Sequence, residues 1–75
     1  MPLYTAAVTR LDEARPASDP KRETLVWWSG GPFVANGSRE AERHVRAEAR
    51  AAIAAIPKGE GVAVVYLWAA SAQAR

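Results

Sequence analysis

Val62-Ala63-Val64-Val65-Tyr66-Leu67-Trp68-Ala69-Ala70 is the longest apolar run in the chain. It falls far short of the roughly 20 residues that a membrane-crossing helix needs. Its β-branched and aromatic content predicts a strand over Val62 to Trp68. Alternation puts Val62, Val64, Tyr66 and Trp68 on one face and Ala63, Val65, Leu67 and Ala69 on the other. Neither face is polar, and a strand apolar on both faces expects cover on both.

What precedes this strand supplies cover for one side only. Lys58 to Gly61 reads as a turn, and Pro57 and Gly59 close a helix expected from Arg39 to about Ile56. Ala41, Val45, Ala49, Ala52, Ile53 and Ile56 recur at helical spacing and form the stripe that faces the sheet. Asn36-Gly37-Ser38 is a turn with Ser38 as the expected N-cap, and Glu40 lies in the first turn, where the helix dipole favours an anion.

Toward the N-terminus, Leu3 to Leu11 reads as a strand with Tyr4, Ala6 and Val8 on one face and Leu3, Thr5, Ala7, Thr9 and Leu11 on the other. Asp12 to Glu23 holds Pro16 and Pro20 among charged and small residues, the pattern of a flexible, solvated connection. Thr24 to Ser29 is a second strand, Gly30-Gly31-Pro32 bends the chain, and Phe33 to Ala35 offers a short third strand. The fold class expected is α+β, a three- or four-stranded, mostly antiparallel sheet in β-β-(β)-α-β order with one helix packed on one face. A strand-helix-strand crossover within one sheet is right-handed, so the single helix leaves the other face open. Adjacent Trp27 and Trp28 point to opposite faces of their strand, which sends one tryptophan away from the helix.

The 75 residues make one domain, 1–75, near the lower size limit for an independent core, with a tail expected to fray over 70–75. Although 49% of residues are apolar, 17 are alanine, so bulky core material is scarce. Leu, Ile, Val and Phe fall just under the ~20% associated with disorder, but the net charge of +2 argues for a folded chain. Without cysteine there is no disulfide and no thiolate metal site, which makes association the economical remedy for a thin core. Met1-Pro2-Leu3-Tyr4 lacks the pattern of a signal peptide, so the expected compartment is the cytoplasm, with no membrane partner.

Three features are candidates for function. An apolar sheet face carrying Trp27 or Trp28 predicts a protein partner or a homodimer, unless the Asp12 to Glu23 connection or the tail folds over it. Arg39, Arg43, Arg46 and Arg50 follow steps of four, three and four and lie in one line beside the apolar stripe, suited to phosphates of a nucleic acid or to an acidic protein surface. The competing reading of that line is a solvated face with ion pairs to Glu42. Glu40, His44 and Glu48 share a helix face, but no further ligand accompanies them, so neither a metal site nor a cofactor is expected. No nucleophile-and-base set points to catalysis, and Gly30-Gly31-Pro32 lacks the Lys and Ser or Thr of a phosphate loop.

Phe33-Val34-Ala35-Asn36-Gly37-Ser38-Arg39-Glu40-Ala41-Glu42 resembles the strand, glycine turn and helix start of HicB-like antitoxin domains, which also begin with a short strand such as Tyr4 to Val8. In plan and size the chain is also similar to small phage-encoded inhibitors, anti-CRISPR proteins among them. That resemblance implies an inhibitor that occupies a surface of a larger nucleic-acid-handling complex. The reading overall is a non-enzymatic protein-binding module of that kind, with a nucleic-acid-binding or antitoxin-like domain using the arginine line as the alternative.

Overall fold

The computed structural model describes residues 2–70. Four strands form one antiparallel sheet: β1 (Leu3–Leu11), β2 (Glu23–Trp28), β3 (Phe33–Val34) and β4 (Val62–Ala70). Two consecutive helices, α1 (Ser38–Glu48) and α2 (Arg50–Ala54), stand between β3 and β4 in the chain. β1 is the centre. β4 pairs along its whole length, from Leu3↔Ala70 to Leu11↔Val62, while β2 and β3 share its other flank.

β2 and β3 behave as one edge strand with an excursion. Ser29 still donates its N–H to the Ala6 carbonyl at 3.0 Å, after which Gly30, Gly31 and Pro32 leave the ladder and Phe33 rejoins opposite Tyr4. Gly30 sits at φ +81°, a conformation that an L side chain adopts only at a cost. The excursion removes a backbone acceptor from the Ala6 N–H, and the Ser29 hydroxyl takes its place at 3.2 Å. At the other end Gly61, at φ +138°, brings its backbone so close to β1 that a Cβ would lie 2.8 Å from the Leu11 carbonyl oxygen. A glycine is therefore required where β4 enters the sheet.

A β-bulge settles the two tryptophans. Val8 pairs with Trp27 and Thr9 with Leu25, so Val26 is an extra residue on β2. Val26 and Trp27 both pack against the core under the helices, whereas Leu25 and Trp28 are exposed on the opposite face. The core proper consists of Ala6, Val8, Val45 and Ala49, with Phe33, Ile53, Val65 and Leu67 packed around it.

The expected single helix is interrupted at Ala49, whose φ of −92° and ψ of 10° fall between the helical and extended regions. The Ala49 N–H donates to Val45 O and the Ile53 N–H to Ala49 O, so the buried stripe continues through the break. α1 lies against β4 and α2 against β2, which carries the helical layer across the sheet. Ser38 is the first helical residue rather than the cap; Gly37 holds the cap position without a side-chain bond, and the Asn36 amide donates to Glu40 Oε1 at 3.1 Å instead. β4 runs two residues past Trp68, so Ala69 and also Ala70, the latter expected in the tail, are in the ladder, and residues 71–75 lie outside the described part.

The connection between β1 and β2 is laced by its own charges. Arg15 bridges Asp12 and Asp19 at 3.1 and 3.0 Å, and Arg22 Nη1 donates to the Arg15 carbonyl at 2.6 Å. Leu25 and Val62, at the same end of the open face, stay exposed beside it.

Candidate binding face

The side of the sheet away from the helices is built by alternation along β1. Leu3, Thr5, Ala7, Thr9 and Leu11 form its spine, flanked by Leu25 and Trp28 on β2, Val34 on β3, and Val62, Val64, Tyr66 and Trp68 on β4. Among the described residues all six large apolar or aromatic side chains that stand exposed, Leu25, Trp28, Val34, Val62, Tyr66 and Trp68, belong to this one face. Leu25 is 62% exposed and Trp28 51%. Scattered surface hydrophobes are ordinary, but a contiguous set on one face is not.

The arrangement of the rings follows from the smallness of Ala7. Trp28 and Tyr66 flank it in register from either side, and Trp68 flanks Thr5. With only a methyl group between the two flanks, Trp28 and Trp68 meet across the central strand with ring centroids 5.8 Å apart, and Tyr66 lies 6.3 Å from Trp68. Ala7 is left only 4% exposed on this nominally open side. Polar anchoring comes from Glu23, whose Oε2 accepts hydrogen bonds from Thr9 Oγ1 at 2.6 Å and from the Tyr66 hydroxyl at 2.5 Å. The bond from Thr9 and then that from Tyr66 hold the Glu23 carboxyl below the usual carboxylate range. Reciprocally, the bond to Glu23 raises Tyr66 above the usual phenol value, because ionisation would lose the donor.

The residues singled out in the sequence are divided between the two surfaces. Trp28 lies on the open face and Trp27 beneath the helices. Arg39, Arg43, Arg46 and Arg50 are all exposed on the outer side of the helical layer, away from Trp28. Among the described residues Arg46 alone of these four has an ion pair, with Glu42 at 2.9 Å. His44 stacks on Phe33 with centroids 4.4 Å apart, and Glu40 is held by Asn36. Leu25, Val34 and Glu23 join the face without having been singled out. Leu25 shares its face with Trp28 only because of the bulge, and Glu23 reads in sequence as the end of a charged connection.

A groove of about 380 Å³ opens on the helix side between β2 and the end of α2, lined by Arg10, Val26, Ala52, Ala55 and Ile56 among others. Alanines leave it unfilled, and Arg10 is partnered loosely by Glu60 at 3.8 Å. No helix among the described residues is long and apolar enough to cross a membrane.

Comparison with protein-family models, curated proteins and solved structures finds no match to this chain.

Proposed function

We propose that this chain is a small protein-binding module, without chemistry of its own, that acts by docking the open face of its sheet. The observation that supports this reading is the confinement of every large exposed hydrophobe among the described residues to that face, centred on Trp28, Tyr66 and Trp68. Tryptophan and tyrosine are the residues that dominate binding energy where a face becomes fully desolvated. Glu23 favours the same use, because its carboxylate is already hydrogen-bonded by Thr9 and Tyr66 and would enter an interface with part of its hydration replaced. An inhibitor of the anti-CRISPR type, occupying a surface of a larger nucleic-acid-handling complex, is the finer form of this proposal.

A second reading, nucleic-acid binding through the arginine line, is favoured by the exposure of Arg39, Arg43 and Arg50 and by the lack of any ion pair to them among the described residues. The two readings use opposite surfaces and are separable. The immobilised chain, a Trp68→Asp variant and an Arg43→Ala/Arg50→Ala variant would be offered to extracts of the native host. The first reading expects a protein retained by the parent and by the arginine variant but lost with Trp68→Asp. Recovery of nucleic acid alone, lost with the arginine variant, would reverse the order.

A further inference from the structure

The open face differs between its two ends. Over the Leu3 to Ala7 half of β1 stand the rings of Trp28, Tyr66 and Trp68, with Val34 beyond them. Over the Thr9 to Leu11 half the side chains are shorter and aliphatic, Leu25, Val62 and Val64. Among the described residues Glu23 is the one carboxylate on the face's strand positions, and no lysine or arginine occupies them.

We infer that the occupant of this face is a second copy of the same chain, packed sheet on sheet about a two-fold axis that lies between the sheets and crosses the strands. The inference rests on the docking role of the face and names its partner. An axis of that orientation reverses the strand direction, so the tall aromatic end of each copy covers the short aliphatic end of the other. It also sets each Glu23 toward the Val34 end of the partner sheet rather than against the other Glu23, which avoids a like-charge contact. An axis along the strands would stack ring cluster on ring cluster and leave a gap over the valines.

The available area fits. The six exposed side chains offer on the order of 600 Å², against the roughly 800 Å² per partner of a standard interface. Half-buried Leu3, Thr5, Thr9, Leu11 and Val64 supply much of the remainder. Sheets packed face to face lie about 10 Å apart, a spacing that interdigitated Trp and Val side chains fill. The four arginines of the helices lie on the other layer, so the dimer keeps them out of the interface and presents one arginine line on each outer surface.

Sedimentation equilibrium over a concentration series, with acrylamide quenching of tryptophan fluorescence, tests this. The expected result is a monomer–dimer equilibrium that stops at two, with quenching that falls as dimer forms. Trp68→Ala and Leu25→Lys, with the circular dichroism of the parent, each raise the dimer Kd by at least about 30-fold. With the tall end over the short end the axis crosses at Val8, which places Trp28 of each copy over Leu25 of the other and Trp68 over Val62, so Val62→Lys and Trp68→Glu each dimerise poorly alone and form a mixed dimer together. Failure of that mixture to dimerise would overturn the orientation, and growth beyond two would overturn the closed two-fold. A monomer with freely quenched tryptophans would remove the second copy while leaving docking of another protein. A monomer whose Trp28 and Trp68 are shielded would remove both, because the chain would then cover the face itself.

Discussion

The two faces of the sheet invert the usual relation between size and burial. Beneath the helices, the fully buried residues are all alanine or valine, and Val8 and Val45 are the largest of them. On the uncovered face two tryptophans, a tyrosine, a leucine and two valines stand exposed. Small residues allow the helices to come close to β1, which gives a dense but thin core. The bulk that would thicken such a core in a self-sufficient domain stands instead on the uncovered face. The difference is sharpest at neighbouring positions, since Trp27 packs under the helices and Trp28 does not.

That pair gives the largest expected effect. Trp27→Ala removes an aromatic from the thin side and costs about 3 kcal/mol of folding stability. Trp28→Ala, measured by urea denaturation at concentrations where the chain is monomeric, costs less than about 1 kcal/mol. Equal losses at both positions would mean that the monomer already uses both faces.

Next in size is a gain. Ala52 lines the groove beside α2, where the helical layer does not fill the space above Arg10 and Val26. Ala52→Leu extends apolar contact into it at little cost in helix propensity, and raises stability by about 1 kcal/mol in the same denaturation assay. The matching enlargement on the other face, Ala7→Leu, drives apart Trp28 and Trp68, which meet over that methyl group, and destabilises.

The alternation of Leu3 to Leu11 and of Val62 to Ala70 was legible because period two has no competitor in segments so rich in β-branched and aromatic residues. The stripe Ala41, Val45, Ala49 and Ile53 was legible for the same reason at helical period. From these alone an open apolar face follows. The membership of β2 does not, because a bulge at Val26 obeys no local pattern and shifts every later residue to the other side. Plain alternation would have paired Leu25 with Trp27 on one face. The break at Ala49 is equally silent in an alanine-rich run without a glycine or proline, since it reflects the path of the helices across the sheet. Glu23 depends on a long-range contact, reaching Tyr66 from 43 positions away.

A smaller effect separates the anchoring of the open face from its burial. Because Glu23 is held low by Thr9 and Tyr66, its contribution is full above the usual carboxylate range and is lost as pH falls through the depressed folded value. Asp19, held low by the Lys21 amide and by Arg15, adds to the same acid loss. Tyr66 is raised, so its contribution is full below about pH 10 and is lost as pH rises through the folded value. Tyr66→Phe abolishes the Tyr66 share of the alkaline loss and shrinks the acid one, leaving the shares from Asp19 and from the bond of Thr9 to Glu23. Urea midpoints taken from acid to alkaline pH check this, and an unchanged alkaline limb in the variant would show that Tyr66 does not bond Glu23 in solution.

The smallest effect belongs to the outer side of the helical layer. Arg43 stands on the outer side of α1, where Ala41 and Val45 mark the buried side, and it has no ion pair among the described residues. Arg43→Ala therefore changes stability by less than about 0.5 kcal/mol. If the line binds phosphates, the affinity for duplex DNA falls linearly with log salt, and Arg43→Ala lowers the slope by about one. If it meets an acidic protein instead, the loss appears in the association rate and fades as salt rises. Thermal denaturation and a salt series on the same variant read both quantities at once. Unchanged binding with unchanged stability would make the line an ordinary solvated face and leave all recognition to the sheet. A large stability loss would contradict the burial of Val45 on the opposite side of the same helix.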